Sequence, residues 1–178
     1  MANFFPTINP KLQKFITSQK IFFVATADIS GRVNLSPKGI DTLRVPDENR
    51  IIWLNLTGSG NETAAHIMAV NRITLMFCAF EQKPLIVRIY GSASIIHPDN
   101  PLWDDLLAQF PTITGVRQIF DIQVQSAQTS CGWGVPYFSY HGERNELTRW
   151  TEKQGEDGIK KYWEERNQLS IDGKPTDL

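Results

Sequence analysis

Two stretches of this sequence gather groups that could do chemistry. The first is Leu56-Thr57-Gly58-Ser59-Gly60-Asn61-Glu62-Thr63. The apolar run from Ile51 to Leu56 reads as a buried strand. It breaks into a loop with two glycines, and the loop into a helix carrying Ala64, Ala65, Ile67 and Met68, with Asn61 as the expected N-cap and Glu62 in the first turn. The first N–H groups of a helix lack internal partners and sit at the positive end of its dipole. Glycines let another group approach that backbone. Strand, glycine loop and helix start therefore form a recipe for holding a phosphate. The same parts also make an ordinary tight strand-to-helix turn.

The second stretch is Asn34-Leu35-Ser36-Pro37-Lys38-Gly39. Asn34 and Ser36 share a face by the two-residue period of a strand, and Lys38 follows as the chain turns. An amide, a hydroxyl and an ammonium so placed could reach the carbonyls and ring nitrogens of a flat polar heterocycle, or a phosphate. The alternative is a solvated edge strand. Arg88 stands apart, between Val87 and Ile89. Burying an unpaired charge is costly, so a paired anion is expected there, either an internal carboxylate or a ligand phosphate. Cys131 reads as a small buried residue, since nothing near it in sequence lowers a thiol pKa. His66, His97 and His141 lack metal-ligand spacing; His66 is read as a surface or packing residue and His97 as a strand end. No hydrolytic triad is visible, no GxGxxG follows a strand, and no GxxxxGK[ST] occurs.

The elements that must position these groups follow from the pattern. Asn9-Pro10 opens a helix with Leu12, Phe15 and Ile16 on one face. Ile21–Ala27 and Arg32–Ser36 form a hairpin about Asp28-Ile29-Ser30-Gly31. A short strand at Thr42–Val45 and the Ile51–Leu56 strand come next. After the glycine loop and its helix, Arg72–Cys78 is a strand. Leu85–Ile96 is a long one, with a bulge expected at Gly91. A helix carrying Trp103 and Leu106 precedes a last strand at Val116–Val124. The region 145–166 is helical and polar, broken about Gly155–Gly158, and the tail turns at Asp172-Gly173. Six or seven strands in hairpin order, with few helices between them, predict a mainly β (α+β) fold. The expected form is an antiparallel Greek-key or meander barrel with peripheral helices. Trp133, in the loop Ser130–Tyr137, could then stack on a planar ligand or cap the barrel end.

With 178 residues, 41% apolar and 21% charged, the chain is expected to build one sizeable core. A net charge of −1 provides no basic field for nucleic acid or an anionic membrane. Two cysteines without a CxxC fit a reducing compartment. The N-terminus has no signal-peptide pattern and no apolar run reaches membrane-spanning length, so a soluble cytoplasmic protein is expected.

Phe22–Ala27, GRVNLSPKG (Gly31–Gly39), WLNLTGSGNETAAHI (Trp53–Ile67), Arg72–Phe77, VRIYG (Val87–Gly91), SCGWGVP (Ser130–Pro136) and SIDG (Ser170–Gly173) occur in this order over nearly the whole chain. In that order and spacing the chain resembles the pyridoxamine 5′-phosphate oxidase-like proteins, FMN-binding split β-barrels, and among them the small stand-alone bacterial and fungal members. The resemblance implies a split-barrel domain over 1–140, a helical extension over 141–178, and a homodimer with FMN at the subunit interface. It implies that Asn34, Ser36, Lys38 and Gly39 face the flavin. It further implies that Leu56, Thr57, Gly58, Ser59, Gly60, Asn61 and Thr63 face the flavin and its phosphate, with Arg88 and Trp133 as further contacts. Two departures stand out. The oxidases follow the loop serine with Arg-Lys, where this chain has Gly60-Asn61, and a strand-borne arginine of theirs lines up with Val33. The C-terminal basic and aromatic substrate motif of the oxidases is not recognised here. These departures argue against pyridoxamine phosphate as substrate. The implied function is a flavin-dependent oxidoreductase of unknown substrate. The alternatives are a non-catalytic flavin-binding or interaction module, or a relative holding F420 or haem.

Overall fold

The computed structural model of the chain describes residues 2–81 and 83–178. Its strands are β1 (Asn3–Phe5), β2 (Phe22–Thr26), β3 (Asn34–Lys38), β4 (Leu43–Asp47), β5 (Arg50–Leu56), β6 (Ile73–Cys78), β7 (Ile86–Ile96) and β8 (Val116–Ser130). The helices are α1 (Pro10–Ser18), α2 (Glu62–Ala69), α3 (Trp103–Leu107) and α4 (Glu146–Arg166). The strands form one antiparallel sheet in the order β3-β2-β6-β7-β8-β5-β4, with β1 added on β8. The path does not close: β3 and β4 are its two free edges, which makes the barrel split. The expected barrel of six or seven strands corresponds to this seven-strand path. The N-terminal strand β1 and the last six residues of β8 were not legible, because both are polar or too short to show a period.

Hydrophobic pattern explains the layers. β2 alternates, with Phe22 and Val24 buried in the barrel interior beside Trp53, Phe77 and Phe120. Trp53 stacks on Phe120 with ring centroids 4.7 Å apart, and Phe22 stacks on Phe77 at 5.7 Å. β5 is apolar at consecutive positions because both its faces are covered. Ile51 and Trp53 point into the barrel, while Ile52 and Leu54 lie under Trp103 and Leu106 of α3. Helix α1 adds Leu12 and Ile16 to the interior; its cap is the expected one, with Asn9 Oδ1 accepting from the Leu12 N–H at 3.0 Å.

Gly91 sits where the β7–β8 register shifts, as expected of a bulge. A Cβ at this position would run into the Gln123 backbone carbonyl oxygen of β8, so the close strand approach requires glycine. The polar helix α4 bends at Gly155, where φ is 65° and ψ 177°. Among the described residues no helix is long and apolar enough to cross a membrane. The Gly91→Ala substitution should lower unfolding free energy by roughly 2–4 kcal/mol, since backbone rather than a flexible side chain must move. Urea denaturation monitored by tryptophan fluorescence checks this; an unchanged midpoint would contradict it.

Candidate functional site

A cleft of about 780 Å³ opens between the free edge β3, the loop that leaves β5, the start of α2 and the C-terminal tail. It lies in the size range of small-molecule sites. Gly58 and Ser59 are exposed at its mouth, so their backbone is open to a ligand. The loop delivers the chain to the N-terminus of α2, whose first amides carry the partial positive charge of the helix end.

Four cations line the cleft, Arg32, Lys38, Arg117 and Arg166, and of these only Arg117 and Lys38 are withdrawn from solvent. Arg117, at the start of β8, is only 3% exposed. Its Nε and Nη2 donate to Asn55 Oδ1 at 3.1 and 2.8 Å, and its Nη1 donates to the Gly60 carbonyl at 3.0 Å and to Asn167 Oδ1 at 2.7 Å. Every acceptor is neutral. Burial lowers the guanidinium to about 10, still a cation at neutral pH, with the nearby Tyr162 acting in the opposite sense. Lys38, half-buried at the end of β3, lies over the Trp53 ring, its Nζ 5.3 Å from the centroid. Burial, and secondarily Arg117, lower its ammonium to about 8. Among the described residues neither cation forms an ion pair. Two desolvated positive charges without a carboxylate are an unmet demand for an anion.

The floor is a polar network. Asn34 Nδ2 donates to Thr63 Oγ1 at 3.2 Å and to Thr26 Oγ1 at 3.3 Å, and Thr26 Oγ1 pairs with His66 Nδ1 at 3.0 Å. His66 is 2% exposed and lines the cleft. It is a hydrogen-bonded packing residue of the site wall.

The C-terminal tail forms the remaining wall. Trp163 Nε1 donates to Thr57 Oγ1 at 2.9 Å, and Asn167 Nδ2 donates to the Gly58 carbonyl at 3.1 Å. The Ile171 amide is held by Glu62 Oε1 at 3.0 Å, and Arg32 pairs with Asp172.

Nine of the expected residues meet at this cleft: Asn34, Ser36, Lys38, Leu56, Gly58, Ser59, Gly60, Asn61 and Thr63. Thr57 lies behind the wall, its hydroxyl donating to the Gly115 carbonyl at 2.9 Å. Gly39 borders a neighbouring cavity instead. Arg88 does not reach the cleft within this chain. It pairs in register with Gln128, far along β8 from Arg117, and donates to Ser130 Oγ at 3.1 Å. The expected anion partner is replaced by that hydroxyl, which suffices because Arg88 is only half-buried. Trp133 is 83% exposed in the turn beyond β8 and neither stacks in the cleft nor closes the barrel interior. Cys131 is exposed, contrary to expectation, because the chain has left the sheet by then. Asn61 does precede α2, but its side chain makes no cap: it exchanges hydrogen bonds with the amide of Gln118, at 2.8 and 3.4 Å.

Arg117 was the residue that sequence reading missed. Its local signal was weak: Arg117 lies between Val116 and Gln118 in a strand that also carries Asp121 and Gln123, whereas Arg88 is flanked by apolar residues on both sides. Arg117 supplies from β8 a charge near the loop where Gly60-Asn61 carry none.

The molecule is thus a split antiparallel barrel whose free edge and helix start enclose a cleft lined by two desolvated, unpaired cations. The pyridoxamine 5′-phosphate oxidase family model matches residues 8–131, and the chain belongs to that family. It is similar to the pyridoxamine 5′-phosphate oxidase family protein ustO of Aspergillus flavus, at 28% identity over 98% of this chain and 78% of that protein. In fold it is similar to a single-residue variant of HupZ from Group A Streptococcus, with a TM-score of 0.58 and 22% identity over 69% of this chain and 99% of that one. It is likewise similar in fold to a Lactobacillus delbrueckii protein named a putative pyridoxamine 5′-phosphate oxidase, with a TM-score of 0.56 and 18% identity over 69% and 94% of the two chains.

The lowered Lys38 pKa has a measurable consequence. The unfolded chain holds this proton up to about 10.5 and the folded chain only to about 8, so stability rises with pH between these values and the deficit is fully present below them. That deficit is on the order of 3 kcal/mol. The Lys38→Met variant should therefore be more stable than the parent at neutral pH, with the gain shrinking above pH about 8. Chemical denaturation across pH checks this; a destabilised variant would show that Lys38 is paired in the fold.

Proposed function

We propose that the cleft binds FMN and that the protein is a flavin-dependent oxidoreductase. The observation that carries this reading is the pair of desolvated, carboxylate-free cations, Arg117 and Lys38, beside an exposed glycine loop at a helix start. The family supports it, because a phosphate-bearing planar ligand suits the same elements. The residues present fit the group. The Gly58–Gly60 backbone and the α2 amides would take the phosphate, with Arg117 fixing the loop through the Gly60 carbonyl and adding its charge. Asn34, Ser36 and Lys38 on β3 would face the ring edge.

FMN would supply the redox chemistry when bound; the chain supplies binding, orientation and electrostatics. Lys38 holds a positive charge where negative charge would gather on the ring. The tail, pinned through Asn167 and Ile171, limits water at the phosphate end. No side chain is assigned as catalytic acid or base, and pyridoxamine phosphate is not the substrate we propose.

The site is proposed to be completed in a homodimer. Val33, just before the free edge strand β3, and Leu35 on it are 72% and 62% exposed at the rim of the cleft, an apolar border that a second copy would cover. A flavin titration tests cofactor and charge together. FMN should bind and co-elute with a dimer on gel filtration. Riboflavin, which lacks the phosphate, should bind far more weakly. Arg117→Gln should weaken FMN by roughly tenfold to a hundredfold and leave riboflavin almost unchanged, as expected for loss of one charge-assisted contact. Equal affinity for FMN and riboflavin in the parent protein would refute the phosphate site.

A further inference from the structure

A second cavity, of about 560 Å³, lies on the other side of Lys38. Ile21, Ile40, Ala79, Phe80 and Phe138 make its wall largely apolar. Lys38 borders both cavities, so a ligand in the second would end beside whatever occupies the cleft.

Three features show a built site rather than a gap between loops. The first is strain. Ile40 and Asp41 have φ of 59° and 50°. This left-handed region is disfavoured for any residue with a Cβ and most of all for a β-branched one. Glycine would fit there at no steric penalty, yet the chain holds an isoleucine side chain at the cavity wall. Backbone strain of this kind gathers at ligand clamps.

The second feature is a pinned aromatic cover. The loop after β8 crosses the cavity, with the Phe138 amide donating to the Phe80 carbonyl at 3.1 Å and the Tyr140 amide donating to Glu81 Oε1 at 2.6 Å. Phe80 and Phe138 meet edge to face at 5.6 Å.

The third feature is charge. The two carboxylates at the cavity, Glu81 and Glu143, accept from the Tyr140 amide and from its hydroxyl at 2.8 Å and keep their charge, so three cations against two anions leave an excess of one positive charge. The three cations, Lys20, Lys38 and Arg144, form no ion pair among the described residues.

We propose that this second cavity is a binding site for a small organic anion with an apolar, aromatic or branched body, its charged end at the lysines and its body between Ile40, Phe80 and Phe138. The existence of the site does not depend on the cofactor reading; only its role as the substrate site, adjoining the cofactor at Lys38, rests on that reading.

The test uses the full chain and 8-anilinonaphthalene-1-sulfonate, an aromatic anion that fluoresces in apolar surroundings. Without FMN the parent protein should bind one dye per chain at this cavity, besides any dye that the empty cationic cleft admits. Three variants away from the cofactor cleft should each weaken the dye about tenfold while leaving FMN affinity unchanged: Phe138→Ser removes apolar wall, Lys20→Glu reverses a charge, and Ile40→Gly removes wall and strain together. Ile40→Gly should also raise the melting temperature, which separates loss of the site from loss of the fold. Dye binding at several weak sites, no binding by the folded protein, or a single site indifferent to all three variants would overturn the proposal. Failure of FMN to bind, with the dye behaviour as expected, would leave the second site standing and remove only its substrate role.

Discussion

The guanidinium of Arg117 is the hub on which the cleft depends. It enters the interior at the start of β8 and meets no carboxylate, only neutral oxygens from three distant segments: Asn55 on β5, Gly60 in the glycine loop, and Asn167 after α4. Each contact is modest alone. Together they tie the strand, the glycine loop and the tail to one fixed point. Because the acceptors are neutral, the charge remains available to a ligand. A carboxylate in place of either asparagine would have stabilised the arginine and closed the site to anions.

The rest of the architecture can be understood as holding that point open. The barrel is split, so β3 presents one edge to the cleft instead of pairing with β4. Lys38 at the end of that edge carries a second under-compensated charge, placed over Trp53 in the core. Such a pair destabilises the empty protein, and the stacked interior of Phe22, Trp53, Phe77 and Phe120 offsets it. Stability is thus sacrificed at a site where a ligand would restore it, a common arrangement in binding proteins.

Much of this was legible in the sequence, for identifiable reasons. Strands with period-two patterning, such as β2, and the doubly buried run of β5 showed themselves through burial. Gly91 marked its bulge because only glycine tolerates the approach of β8. The glycine loop and β3 were readable as candidate site elements because local geometry alone brings them to a helix start and a strand end. What stayed hidden depends on long-range pairing. Asn61 looks like a cap locally, but Gln118, distant in sequence, claims its side chain. Arg88 stands out locally between two apolar residues and Arg117, beside Gln118, does not, yet it is Arg117 that the register of β8 brings to the cleft. The strain at Ile40 has no sequence signature, since nothing about an isoleucine announces a left-handed backbone.

The central claim is that the cationic cleft holds a phosphate. The most direct measurement is the phosphorus NMR spectrum of FMN added to the protein, followed across pH. A free phosphate monoester dianion takes up one proton at about pH 6. Held by Arg117, the glycine loop and the start of α2, the bound phosphate should give a separate, shifted resonance that stays dianionic well below that pH. A resonance that keeps the position and titration of free FMN in the presence of excess protein would contradict the account.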